Sequence, residues 1–288
     1  MTDIASPDTG TSAPAARELV YRHRLVTRIT HWVNALCFTL LLMSGLQILN
    51  AHPSLYWGEF GADDDRAFIE FFAARPDGRD GEIKGFTRVG PMTFETTGLF
   101  GVSRDSDGDV RVIAMPGWST IPSNRDLATG RRWHFFFAWL FVANGLVFVA
   151  ASLLNGHLRR DLLPERRELG PRHVLHDIWN HVRLRLPKGE AAKRYNVLQK
   201  VAYLGVGLLL IVMVLTGLTM SPGMNASMPW MLDLFGGRQS ARTIHFLAAT
   251  GTVAFVVIHL AMVLLAGPVN EIRSMITGRF VVPPEDKP

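Results

Sequence analysis

Cysteine is almost missing from this 288-residue chain, with Cys37 the one instance. An intrachain disulfide is therefore excluded, and so is any cofactor tethered through a Cys-x-x-Cys-His segment. An apolar stretch is missing from the start, where residues 1 to 16 are polar and rich in Ser, Thr, Ala and Pro. No cleavable signal sequence is expected there, and the composition predicts a disordered leader over residues 1–16. Charge is missing from four long intervals: Thr30 to Gly58, Trp133 to Leu158, Val201 to Leu232 and Thr243 to Asn270. Each holds about 18 to 24 consecutive mostly apolar residues, enough to cross a bilayer as a helix.

What is present looks average until it is located. The hydrophobic fraction is 48% and the mean hydropathy +0.16, because polar segments separate the four apolar runs. The expected fold class is an all-α integral membrane protein, a four-transmembrane-helix bundle with helices about 30–49, 133–154, 201–220 and 243–266. Residues 17–288 form one membrane domain in this reading. A long external loop, 53–125, joins helices 1 and 2, and a loop over 157–200 joins helices 2 and 3. The net charge of +5 and pI near 9.7 do not form a nucleic-acid stripe, so no nucleic acid is expected as a partner. Arg17, Arg22, Arg24 and Arg28 precede helix 1, and the 157–200 loop with its flanks carries eleven Lys and Arg against five acids. By the positive-inside rule both flanks are cytoplasmic, so both termini are too, with membrane lipid around the helices.

The external segment mixes acids (Asp63, Asp64, Asp65, Asp77, Asp80, Glu82) with bases, and FTRVGPMTFETTGLFGV followed by DVRVIAM reads as short strands. The run from Asp105 to Asp109, DSDGD, resembles a calcium loop only in part and is read as a hairpin turn. A segment this long on a small membrane protein suggests a docking surface. In the cytoplasmic loop, His173, His176 and His181 fall on an amphipathic helix; without a cysteine partner they are read as solvated rather than as zinc ligands.

Histidine inside an apolar run is costly and needs a reason. His245 and His259 share helix 4, and fourteen residues correspond to roughly 21 Å of rise and about 1400° of rotation, about 40° short of four turns. Both rings therefore leave one face near opposite membrane surfaces. His31 opens helix 1 from the cytoplasmic side and His134 opens helix 2 from outside. Depth then pairs His31 with His259 and His134 with His245. Two neutral imidazoles facing across a bundle interior are the ligand set of a low-spin b-type haem, so two haem b are expected. Arg28, Arg131 and Arg242 each precede a histidine by three residues, where a guanidinium can meet haem propionates or simply anchor a helix end. Gly45 follows His31 by fourteen residues, at the depth of the other haem, and its missing side chain is expected to make room for a porphyrin.

The segments RITHWVNAL around His31, RRWHFFFAWLFVANG around His134, KRYNVLQKVAY before helix 3 and the His245 to His259 pair resemble the bacterial cytochrome b561 family. That family includes the cytochrome b subunits of respiratory formate dehydrogenases and nickel-iron hydrogenases. The resemblance covers all four helices. It implies the same histidine pairing, a bacterial inner membrane location, a quinone as exchangeable substrate at the cytoplasmic haem, and a periplasmic redox enzyme as partner. Asn196, Gln199, Lys200 and Tyr203 recur at helical spacing where helix 3 enters the membrane, and the resemblance makes Asn196 a hydrogen-bond partner of the quinone. The long external loop together with PSNRDLATGRRWHFFF is more similar to the cytochromes of molybdopterin oxidoreductases of the sulfite oxidase type.

The expected function is a membrane di-haem cytochrome, an electron-transfer subunit passing electrons between that enzyme and the quinone pool. A self-contained quinone reductase oxidising a small reductant such as superoxide is a second reading, against which the long loop argues. A haem-free transporter with a histidine relay, or a plain membrane anchor, predicts no haem at all.

Overall fold

The computed structural model describes residues 18–61, 65–105, 107–165, 167–168, 170–183, 188–193 and 195–284. The leader over 1–16, Asp63 and Asp64, one residue of the DSDGD turn, and the side chains of His173 and His181 lie outside the described residues.

Four helices are long and apolar enough to cross a membrane: α1 (Leu25–Leu49), α2 (Leu127–Leu154), α4 (Val197–Met220) and α7 (Arg238–Ala266). Between them lie α3 (Pro171–Val182), α5 (Pro222–Ser227) and α6 (Trp230–Leu234), and α8 (Pro268–Thr277) follows α7. The C-terminal ends match those read from the sequence, at Leu49, Leu154, Met220 and Ala266. The N-terminal ends start four to six residues earlier than expected. Arginine is a good helix former whose stem can lie along apolar surface, so the helix does not stop where charge begins. It stops at a cap. Asp126 accepts the Thr129 N–H at 3.0 Å to start α2, and Asn196 starts α4.

The helices form two hairpins. α1 packs along α2 and α4 along α7, and no pairing across the two hairpins is comparably close. Only 22, 17, 6 and 11% of the most apolar windows of α1, α2, α4 and α7 are buried inside the protein. Most of that apolar surface is therefore left to face lipid and the gap between the hairpins.

The spanning helices match the all-α expectation, and the segment between α1 and α2 carries the short strands expected of it. Short strands occupy it: β2 (Ser54–Leu55), β3 (Ile69–Ala74), β4 (Lys84–Val89) and β5 (Met92–Glu95) form an antiparallel sheet in that order. β6 (Val102–Arg104) and β7 (Val110–Val112) make a separate hairpin. Phe, Thr and Val alternate with polar residues here, which suits a half-buried strand. The DSDGD run is the turn of the β6–β7 hairpin, where the Asp105 carboxylate accepts the Asp107 and Asp109 N–H groups and pairs with Arg111 at 2.6 Å.

This insert is rooted in the bundle. Leu55, Ile69, Phe71, Ala114 and Met115 form one buried cluster with Leu49 at the end of α1, and Leu46 and Phe246 of α7 pack against it. Asn50, just past α1, accepts the Met115 N–H at 2.7 Å and donates to the Met115 carbonyl at 3.2 Å. Residues 56–59 lie along the start of α7. Thr243 Oγ1 donates to the Tyr56 carbonyl at 2.6 Å, and Ser240 Oγ accepts the Gly58 N–H at 2.7 Å. Gly237 has φ 103°, and a Cβ there would stand 2.6 Å from Glu59 Cα, so both backbone conformation and close approach require glycine.

At the opposite end the chain closes on itself. Gly267 at φ 103° ends α7, Pro268 starts α8, and β8 (Arg279–Val281) pairs antiparallel with β1 (Leu19–Tyr21) in the register Val20 to Phe280.

Candidate functional site

The gap between the hairpins is crossed at two levels by histidine pairs. His134 of α2 faces His245 of α7 with ring centroids 6.3 Å apart, and His31 of α1 faces His259 of α7 at 6.2 Å. All four rings are half-buried. A metal–imidazole nitrogen bond is about 2 Å and a ring centre lies roughly 1.1–1.2 Å behind its nitrogen, so two imidazoles facing across one metal have centroids about 6.3 Å apart. Both pairs have that separation. Among the described residues no third His, Cys, Asp or Glu joins either pair. Two protein ligands are too few for a closed structural zinc site and enough for an iron whose other four bonds come from a porphyrin.

The outer pair has a defined tautomer. His245 Nδ1 lies 3.0 Å from the Met213 carbonyl, which can only accept, so Nδ1 carries the proton and donates it. His134 Nδ1 faces Ser44 Oγ, whose own hydrogen goes to the Leu40 carbonyl, so this Nδ1 too is the donor. Nε2, across each ring, is left with a free lone pair, the form a metal ligand needs. Ser44 Oγ stands 3.1 Å from His134 Nδ1 and Thr216 Oγ1 stands 3.0 Å from His245 Nδ1. Around the inner pair, Phe255 stacks on His259 at 6.0 Å and Trp32 meets His31 edge-on at 5.4 Å. Asn144 of α2 donates to the Thr30 carbonyl at 2.9 Å and to Asn34 Oδ1 at 2.6 Å, which fixes α1 against α2 beside His31.

Gly45 lies at the depth of the outer pair, but its neighbour is the histidine. A Cβ there would stand 3.4 Å from His134 Cε1, an ordinary van der Waals contact, so Gly45 borders the imidazole ring of the outer pair. Gly217 of α4 borders the His245 ring in the same way, at 3.5 Å.

The three arginines diverge. Arg28 donates one guanidinium N–H to the Ile276 carbonyl at 2.7 Å, while its Nε is buried without a partner, so it retains an unused donor near His31. Arg131 is exposed and lies over Phe135 of its own helix. Arg242 is engaged elsewhere: it donates to the carbonyls of Ser54, at 3.0 Å, and of His52, tying the insert to α7. These two bonds use two of the five N–H donors of its guanidinium.

The polar group at the start of α4 has structural work of its own. Asn196 Oδ1 accepts the Gln199 N–H at 2.9 Å and Gln199 Oε1 accepts the Asn196 N–H at 3.1 Å, a reciprocal capping box. Their oxygens are taken, and the side-chain NH2 groups remain as donors. Lys200 Nζ binds both carboxylate oxygens of Glu168, at 2.8 and 2.9 Å, so it is not a free cation. The Tyr203 ring meets Tyr195 edge-on at 5.4 Å. Burial pushes the Tyr195 phenol up to about 12, which keeps it protonated. Arg22 lies over Tyr195 and Phe280 and pairs with Glu271 at 3.7 Å, while burial raises the Glu271 carboxyl.

Sequence reasoning missed Ser44, Thr216 and Gly217. A signal was present, since Leu41-x-x-Ser44-Gly45-Leu46 and Met213-x-x-Thr216-Gly217-Leu218 repeat one pattern near the ends of α1 and α4.

Comparison with known proteins agrees with this geometry. The chain is 26% identical over 250 residues, 87% of its own length and 93% of the relative's, to the "Putative protein-methionine-sulfoxide reductase subunit YedZ1" of Azospira oryzae. The sequence profile described as prokaryotic cytochrome b561 matches residues 22–278. With four spanning helices and a match over most of its length, the chain is an integral membrane protein belonging to the prokaryotic cytochrome b561 family.

Proposed function

We propose that the chain is a di-haem electron-transfer subunit that links quinone at the cytoplasmic face of a bacterial inner membrane to a redox enzyme docked on the opposite face. The observation that carries this reading is the pair of facing imidazoles at each of two levels, 6.2 and 6.3 Å between centroids. A b-type haem held by two histidines supplies one-electron transfer. His31 and His259 hold the inner group, and His134 and His245 the outer one. Arg28, with its unused buried Nε, is the propionate partner at the inner level.

The basic residues beside β1, α1 and the α2–α4 connection support a cytoplasmic position for those ends. The insert is then external and stands directly over the outer pair, since Phe246, next to His245, packs against its core. The insert exposes Phe60 and Trp118, each at 73%, and Trp57 at 50%, and these serve as rigid aromatic anchors for a partner protein. The relative's name points to a reductase as that partner, and the resemblance to sulfite-oxidase-type systems points to a molybdopterin enzyme. With a reductase outside, electrons come from quinol and travel outward. The amide NH2 groups of Asn196 and Gln199 are donors for a quinone carbonyl at the inner end.

The test is haem content and reductive titration of the purified protein, in which two separable b-type components are expected. His259→Ala removes the inner component and His134→Ala the outer. Full retention of both components after replacement of any one of the four histidines would overturn the assignment.

A further inference from the structure

The two hairpins carry one device twice. On α1, Ser44 and Gly45 stand against His134; on α4, Thr216 and Gly217 stand against His245. Ser44 and Thr216 are both fully buried. Each hydroxyl directs its own hydrogen to the carbonyl four residues back, Ser44 Oγ to Leu40 at 2.6 Å and Thr216 Oγ1 to Val212 at 2.7 Å. Its lone pairs are then left for the imidazole, so toward Nδ1–H each oxygen acts as an acceptor, joined at His245 by the Met213 carbonyl. The adjacent glycine lies beside Cε1 of the ring. The inner histidines are met differently, by the aromatic rings of Trp32 and Phe255.

An acceptor on Nδ1–H moves electron density toward Nε2 and makes it a stronger donor to a metal, which favours the more positive oxidised state. We infer that Ser44 and Thr216 are positioning residues for the outer pair alone, acting through Nδ1 of His134 and His245 to lower the reduction potential of the group which that pair holds. The inference rests on the reading of those histidines as haem ligands. It implies that the two levels differ by design in potential, because two extra acceptor oxygens serve the outer one.

The experiment is potentiometric titration of the purified protein carrying Ser44→Ala, Thr216→Val or both, with Ser44→Thr and Thr216→Ser as conservative controls. The outer component is identified as the one missing in His134→Ala. The double variant should keep both haems and shift the outer component's ferrous-to-ferric ratio at fixed ambient potential about threefold toward ferrous, roughly 28 mV at 59 mV per tenfold. The inner component and the conservative variants should titrate as wild type. If the double variant sheds the outer haem, the single variants are read by the same criteria, with a smaller shift in the same direction expected. Full haem content with an unshifted outer potential, or equal shifts at both levels, overturns this inference alone. Retention of both haems in His134→Ala would overturn the reading beneath it.

Discussion

His23 shows how a single side chain couples the clasp at the cytoplasmic end to pH. It sits between β1 and α1, and burial, together with Arg22 and the neighbouring His31, His157 and Arg28, lowers its pKa from 6.5 to about 4. Between those values the unfolded chain holds the proton and the folded one does not. Stability therefore rises with pH through this window, is intact above about 6.5, and is lost as pH falls toward 4. We expect the apparent melting temperature of the detergent-purified protein to fall between pH 7.5 and 5, and the fall to be smaller in His23→Gln by at least about 2 °C. Equal falls in both proteins would show that His23 is not the titrating group. Asn50 is a contrasting case in which polarity is locked in place. Its side chain is 2% exposed and satisfies both backbone groups of Met115, so its removal leaves a buried donor and acceptor unpaired at about 1–3 kcal/mol each.

The start of α4 shows one element in two roles. The capping box fixes where the helix begins, and loss of an N-cap costs about 1 kcal/mol. A substitution such as Asn196→Leu would thus mix a folding defect with any effect on quinone. Asn196→Ser separates them, because serine keeps the capping acceptor and removes the amide donor. The serine variant is expected to melt as wild type and to keep both haems, yet to exchange electrons with added quinone at least tenfold more slowly, a barrier increase of about 1.4 kcal/mol. Wild-type exchange in that variant would place the quinone's hydrogen bond on another residue. Lys200 is held by Glu168 in a contact from α4 to the α2–α3 connection, and it steadies that connection against the bundle.

At the scale of the molecule, the insert and the bundle are one structure. Deleting 53–125 would strip Leu55, Ile69, Phe71 and Met115 from Leu49 and Phe246, so it would disturb the outer site as well as the docking surface. Surface substitutions are cleaner. Phe60→Ser with Trp118→Ser should leave haem content and melting unchanged while slowing electron exchange with the external enzyme, and an unchanged rate would put the docking surface elsewhere. Direction has an energetic consequence. The two histidine levels on α7 are about 21 Å apart along a hydrocarbon core of about 30 Å, so moving one electron between them is worth roughly 1.6 kcal/mol per 100 mV of membrane potential. With the interior negative, outward flow toward a reductase runs down the potential. In sealed vesicles, reduction of an external acceptor by quinol should therefore accelerate when the interior is made more negative. Indifference to the imposed potential would mean that the transferred charge does not cross the field.

Much of this was legible in the chain itself, and the reason is locality. A run of apolar residues without charge must satisfy its backbone internally in lipid, so α1, α2, α4 and α7 and their C-terminal ends follow from composition and from Gly and Pro punctuation. The fourteen-residue step from His245 to His259 is set by the fixed rise and rotation of one helix, and length and charge order the crossings, so the two depths of histidine were readable too. The N-terminal helix starts were less legible, and at α2 and α4 the reason is a side-chain cap that outweighs the change in hydropathy. What only the tertiary structure decided is which atoms meet across elements. Arg242, Arg28 and Arg131 share one motif and have three fates, because the insert's carbonyls reach the first, the Ile276 carbonyl of α8 reaches the second, and the third faces outward over its own helix. Gly45 lies against the His134 ring, and Ser44 and Thr216 are partners of histidines 90 and 29 residues away. Those contacts depend on the relative rotation and depth of packed helices, which no local periodicity specifies.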